Sequence, residues 1–271
     1  MAEKEFFSMD ITDSKKIKEG FISTGIDKLD KLLEGGTPKG FTVLLLGTPG
    51  SSIEIISKQL ACSVIGKTLY VSTEETEGEV TDAMKRFGWD YSKMEVLDIA
   101  SRYSQAVLSG EEKRVSIYEQ RSKGKLKELI EIGSSGMPPL AQTGTDFLAV
   151  FSNKIKDSKF EKIIINSLDF FLSQYSQADV LRTVQATKIS NLSAKGALFI
   201  IMTRGIHGDI FERKMEGMAD CVLELEVLQK GSNFERFLAV KKMKNYAKKI
   251  GIARYTIDSE GLVLEMIERI M

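Results

Sequence analysis

The sequence predicts an α/β protein with a mainly parallel central sheet flanked by helices and antiparallel strands at its C-terminal end. Three observations carry this. Short apolar, β-rich runs alternate with segments of helical period through most of the chain. The runs lack the in-out alternation of half-exposed strands, as expected of parallel strands covered on both faces. After Asp220 the strands crowd together, leaving no room for crossover helices.

Taken in order, residues 1–22 form an N-terminal extension whose first stretch, MAEKEFFSMDITDSKK, is charged throughout and has no signal-peptide apolar core. FTVLLLG (41–47) opens the sheet, and the helix after it aligns Ile53, Ile56, Leu60 and Val64 on one stripe. TLYVS (68–72) is followed by a helix that turns Val80, Ala83, Met84 and Phe87 inward, and then by EVLDI (95–99). Residues 101–140, rich in Lys, Arg, Glu, Ser and Gly, read as an insertion with one or two exposed helices ending in the loop GSSGMPP. A helix through Leu148, Phe151 and Ile155 leads to KIIINS (162–167), and another through Leu181, Val184 and Leu192 leads to ALFIIMT (197–203). CVLELEV, NFERFLAVKKM, IARYTID and GLVLEMI, separated by Lys230-Gly231-Ser232 and Ser259-Glu260-Gly261, then read as hairpins or a meander (residues 221–271) extending the sheet. No repeat is visible, and one domain over 1–271 is expected.

Composition narrows the function classes. The 271 residues include 38 Lys+Arg and 38 Asp+Glu, so net charge gives no general attraction to nucleic acid or anionic lipid. With 4 Pro and 42% hydrophobic residues the chain is neither disordered nor fibrous. Cys62 and Cys221 supply no disulfide framework and point to a reducing, cytoplasmic setting. The longest apolar run, Ala197–Met202, is about a third of a membrane span.

The informative motif follows the first core strand. Gly47-Thr48-Pro49-Gly50-Ser51-Ser52-Ile53-Glu54 enters a helix directly, the strand–loop–helix layout of the phosphate-binding pattern G-x-x-x-x-G-K-[ST]. That pattern holds an anion on backbone N–H groups, a Lys cation and a hydroxyl ligand to Mg²⁺. Here Ser52 replaces the second Gly, Ile53 the Lys and Glu54 the hydroxyl residue. A carboxylate about 4 Å from a phosphate repels it by roughly 4 kcal/mol at an effective dielectric of about 20. Ser51-Ser52-Ile53-Glu54 also fits the S-x-x-E capping box, which would use the same N–H groups internally. The loop is therefore expected to be structural, with residual nucleotide binding as the alternative.

Several segments together resemble the KaiC-like branch of the RecA/RadA ATPase superfamily, common among archaeal proteins. They are Ser23-Thr24-Gly25-Ile26-Asp27-Lys28-Leu29-Asp30, Gly35-Gly36-Thr37-Pro38-Lys39-Gly40, Tyr70-Val71-Ser72-Thr73-Glu74-Glu75, Phe87-Gly88-Trp89-Asp90 and Glu216-Gly217-Met218-Ala219-Asp220, in the family's order. The resemblance covers nearly the whole chain except 101–140. It implies a RecA-like P-loop NTPase fold, ATP with Mg²⁺ as the ligand, and a ring-like homo-oligomer. Glu74 and Glu75 fall where the family keeps its water-activating glutamates. Asn166 falls on the Mg²⁺-associated Asp and loses its charge, so no metal ligand is expected there. Asp169, three residues on, is not read as a replacement. Lys242 and Lys244, in Lys242-Met243-Lys244-Asn245, resemble the segment that reaches a neighbour's phosphate.

With the Lys, the hydroxyl and the acidic metal partner replaced, phosphoryl transfer is expected to be lost or severely impaired, since it depends on positioning and charge neutralisation. The chain is then expected to be a pseudo-ATPase acting as a regulatory or interaction module, paired with itself or an active paralogue. Two alternatives stand: an atypical ATPase using a neighbour's Lys242 or Lys244, and a recombinase-like DNA-binding or archaellum-accessory protein. For the DNA version, Arg204, His207, Arg213 and Lys214 form a small basic stretch, diluted by Asp209, Glu212 and Glu216. His207, the one histidine, is expected to be an ordinary loop residue.

Overall fold

A computed structural model describes residues 18–62, 66–109, 145–156, 160–246 and 251–266. Nine strands form one sheet in the order β11-β10-β9-β8-β3-β7-β6-β4-β5. Its parallel part comprises β8 (Cys221–Lys230), β3 (Thr42–Gly47), β7 (Ala197–Thr203), β6 (Lys162–Asn166), β4 (Thr68–Ser72) and β5 (Met94–Asp98). From β8 onward the chain turns back antiparallel through β9 (Asn233–Met243), β10 (Gly251–Asp258) and β11 (Gly261–Met266), as a meander. A small hairpin, β1 (Phe21–Ile22) with β2 (Thr37–Pro38), stands apart.

The uninterrupted apolar runs make β3, β4 and β6 buried along their whole length. Successive residues serve two cores. Val43, Leu45, Tyr70, Ile164 and Leu223 face α1 (Asp27–Leu32), α2 (Ile53–Ala61), α3 (Glu77–Arg86) and the C-terminal strands. Leu44, Leu46, Val71, Ile165 and Met202 face α5 (Phe147–Lys156), α6 (Leu168–Gln174), α7 (Gln177–Ala194) and α8 (Asp209–Met218). The helix that follows β5, α4, runs over 99–109 and occupies the start of the stretch read as an insertion; residues 110–140 of that stretch, Val64 and residues 1–17 lie outside the described residues.

One helix face differs from the expected one. On α7 the buried positions are Val180, Val184, Thr187 and Asn191, whereas Leu192 is 59% exposed. The stripe is read one step off because Asn191 is drawn inward: its amide donates to Phe41 O at 3.1 Å.

Two polar staples hold the sheet at the end opposite the 47–54 loop. Asp220 accepts from Thr42 N at 3.0 Å and from Lys188 Nζ at 3.0 Å, tying the entry of β3 to β8 and α7. Lys162, fully buried on β6, donates to Leu60 O at 2.7 Å and so caps the C-terminal end of α2. Burial pulls the Lys162 ammonium down to about 8.

Candidate functional site

The C-terminal ends of β3, β6 and β7 surround a cleft of about 300 Å³, walled by the 47–54 loop, Glu74, Asn166, Ser167, Asp169 and Thr203. A crevice at the carboxyl ends of parallel strands is where open α/β sheets bind ligands. Among the described residues that line it, none is Lys or Arg.

The loop's shape is set from its outer side by the meander. Thr48 N donates to Leu225 O at 3.0 Å, and Val227 N donates to Thr48 Oγ1 at 3.3 Å. Arg236 Nε donates to Gly50 O at 3.0 Å, and Tyr255 Oη to Ser51 O at 2.6 Å. Gly50 adopts φ +84° and Ser52 φ +57°, so the position where the pattern has its second Gly keeps the left-handed backbone without the residue suited to it. Gly47 is closely packed: a Cβ there would lie 2.7 Å from Ile53 Cδ1 and 2.8 Å from Ser51 Oγ, so those side chains would have to shift.

The capping box expected at Ser51–Glu54 is not formed. The N-cap of α2 is Ser52, whose left-handed backbone turns its side chain away from the cap, and it makes no capping bond. Ser51 is fully buried, and its Oγ has no hydrogen-bond partner among the described residues. The N–H groups of Gly50, Ser52, Ile53 and Glu54 likewise find no acceptor there, so the donors are open after all.

The two glutamates diverge. Glu74 lines the cleft and accepts from Ser167 Oγ at 2.8 Å. Glu75 is drawn behind the loop to Lys58, whose Nζ lies 2.5 Å from Glu75 Oε2 and donates to Glu54 O at 3.1 Å. Lys58 is 3% exposed and Glu75 31%. Asn166 donates its amide to Tyr70 Oη at 2.8 Å; that hydroxyl meets Ser57 Oγ at 3.0 Å, which donates to Glu54 O at 2.9 Å. Burial raises the Tyr70 phenol well above its ordinary value.

Asp169 lines the cleft, accepting from Thr203 N at 3.0 Å and meeting His207 Nε2 at 2.6 Å. His207 is thus a paired group at the cleft's edge and not the ordinary loop residue expected. Arg204 is paired to Glu224 and Glu226, leaving only the exposed Arg213 and Lys214 of the basic stretch uncommitted to these groups.

Lys242 and Lys244 lie at the far end of the sheet from the loop, because Met243 pairs with Cys221 and Gly47 with Leu225. Lys242 Nζ donates to Glu216 O and Gly217 O, both at 2.9 Å, closing the C-terminal end of α8. Lys244 is 60% exposed and 3.7 Å from Asp220. Among the described residues no cluster of three or more His, Cys, Asp or Glu could hold a metal. Lys58, Arg236 and Ser167 went unread in the sequence. The one signal for Lys58 is its place four residues after Glu54, on the same helix face.

A family model described as "ATPase: KaiC" matches residues 22–269. A UPF0273 protein of Sulfurisphaera tokodaii is 24% identical over 90% of this chain and 82% of its own length. The circadian clock oscillator protein KaiC of Synechococcus elongatus is 22% identical over 88% of this chain and 43% of its own. A crystal structure of a KaiC-like protein from Pyrococcus horikoshii superposes with a TM-score of 0.62 at 17% identity, covering 90% of this chain and 98% of that one.

Proposed function

Because the chain belongs to the KaiC-like ATPase family, its cleft is to be judged as an ATPase cleft, and we propose that it has lost ATP hydrolysis and that the protein works as a regulatory or interaction module. One observation carries the reading: among the described residues the cleft presents no cation. Ile53 packs on Gly47, and Lys58 is spent on Glu75 and the Glu54 carbonyl. The cleft's one residue at the Mg²⁺-associated position, Asn166, has its amide engaged with Tyr70. These residues do not fit a magnesium-bound triphosphate, whose charge needs both a cation and an anionic metal ligand. The module would act in the cytoplasm, through a ring of its own copies or through an active paralogue. The two cysteines, 159 positions apart, supply no disulfide framework, which favours a reducing compartment.

Phosphate release from Mg·ATP, measured over a wide range of protein concentration, tests this. The expected result is no turnover above that of Glu74→Gln. Turnover in the parent that disappears in Glu74→Gln refutes it. A second reading, an ATPase completed by a neighbour, draws support from the open loop N–H groups and from the exposed Lys244 at the opposite end of the sheet. It predicts activity per subunit that rises with protein concentration and falls in Lys244→Ala.

A further inference from the structure

The cleft carries the opposite charge from an anion site. Three carboxylates, of Glu54, Glu74 and Asp169, border a space of about 300 Å³ that no Lys or Arg among the described residues lines. Glu74 accepts from the neutral Ser167 hydroxyl, and Asp169 from Thr203 N, with His207 Nε2 2.6 Å away. When protonated, His207 cancels one of the three charges. The N-terminus of α2 opposes the other two with only about half a positive charge. The space therefore stays net negative in either state of the histidine.

A second observation is independent of that charge. Asn166 lines the same space and is only 7% exposed. Its amide nitrogen is taken by Tyr70 Oη, whereas its side-chain oxygen receives no donor among the described residues and is not sealed from solvent. A polar side chain this buried ordinarily has its acceptor satisfied. Four acceptor groups and no side-chain ammonium or guanidinium thus share one small cleft, and the partner that fits it is a charged N–H donor. The spacing of the acceptors decides which kind. Among the described residues no three His, Cys, Asp or Glu converge on a metal ion, so a point charge would leave most of these oxygens unmet. A polyatomic cation with several N–H groups reaches separated acceptors at once. A volume of about 300 Å³ limits it to a small molecule.

We propose that the cleft bordered by Glu54, Glu74, Asp169 and Asn166 binds a small organic cation of the amine or guanidine class, the reverse in charge of what the phosphate-binding pattern holds. The inference rests on the reading that metal–nucleotide chemistry is lost from this cleft, and it supplies the regulatory module of that reading with a ligand.

The full-length protein is titrated by calorimetry, in EDTA, with agmatine, which carries a guanidinium at one end of a four-carbon chain and an ammonium at the other. Saturable binding is expected, weakened by added NaCl and absent for 1,4-butanediol, the neutral molecule of the same chain length. Glu74→Gln should raise the dissociation constant about tenfold, the worth of one hydrogen bond between charged groups. Glu54→Gln should raise it further when combined with Glu74→Gln. Both positions are exposed, so the variants should unfold at the parent's temperature and any loss of binding is local to the cleft. Ile53→Lys, which places an ammonium against the same space, should abolish binding. No saturable heat at any agmatine concentration the protein tolerates, equal binding of 1,4-butanediol, or equal binding by the parent and the double variant overturns the inference. ATP turnover is measured separately: its presence strikes the loss-of-hydrolysis reading, whereas its absence together with absent agmatine binding strikes this inference alone.

Discussion

Replacing Glu75 by Met should destabilise the protein far more than replacing its partner Lys58 by Met, although both changes break the same 2.5 Å ion pair. The difference lies in what is left behind. Without Glu75, an ammonium that is 3% exposed keeps only one bond, to Glu54 O, and its charge stays buried. Breaking a buried pair in this way costs about 3 kcal/mol or more. Without Lys58, the orphan is a carboxylate whose Oε2 is buried but whose side chain is 31% exposed, so water still reaches its charge and the cost falls to about 1 kcal/mol. In the double variant two apolar side chains of similar length meet, and most of the loss should return. At roughly 2–4 °C per kcal/mol for a chain of this size, the single changes should separate clearly in thermal unfolding. The one tryptophan, Trp89, packs against the core that contains α2 and reports the transition by fluorescence. Equal losses in the two single variants, or a double variant as unstable as their sum, would refute the buried-ammonium argument.

Lys162 gives a pH prediction. Its folded value of about 8 lies below the ordinary 10.5, so between these limits the unfolded chain holds a proton that the folded one has released. Stability should therefore rise with pH across that window, by about 3 kcal/mol relative to Lys162→Met, since each unit is worth about 1.4 kcal/mol; parallel pH profiles for the two proteins would contradict it. Tyr70→Phe should cost about 1–3 kcal/mol in urea unfolding, because the buried Asn166 amide and Ser57 hydroxyl both lose their shared partner. Tyr70→Phe paired with Asn166→Leu should recover part of that cost, and no recovery would mean that the chain of bonds is not what Tyr70 contributes.

Much of the fold was legible because each parallel strand is an unbroken apolar run, and only a strand buried on both faces tolerates that. TLYVS coincides with β4, and ALFIIMT with β7. The antiparallel turn-back after Asp220 was equally readable from strand spacing alone. What escaped were side chains whose roles depend on the third dimension. Leu192 matched a helical period and still points outward, because Asn191 has a backbone carbonyl to reach. Lys58 reads as a surface lysine until β4 brings Glu75 beneath the loop. Asp169 and His207 are 38 residues apart, and only the adjacency of β6 and β7 brings them together. The capping box failed for a related reason: the pattern S-x-x-E states which groups could bond but not that Ser52 would be left-handed.

That last failure bears on how a phosphate loop can outlast its chemistry. The bonds that shape this loop are supplied by the protein and need no ligand. Leu225 and Val227 hold Thr48, Arg236 holds Gly50, and Tyr255 holds Ser51. All four belong to the meander and not to the cleft. Changes at positions 53 and 54 therefore alter the cleft's charge without loosening its backbone. The left-handed Ser52 supports this: a non-glycine there costs about 1–2 kcal/mol, and the conformation persists because its neighbours on both sides are fixed. Shape and charge are thus separable in this fold, and Arg236→Ala should show it. Losing the bond to Gly50 O should broaden the amide resonances of residues 50–54 while leaving Asp169 and His207 paired. If Arg236→Ala left those resonances sharp, the loop's shape would have to come from some other source than the meander.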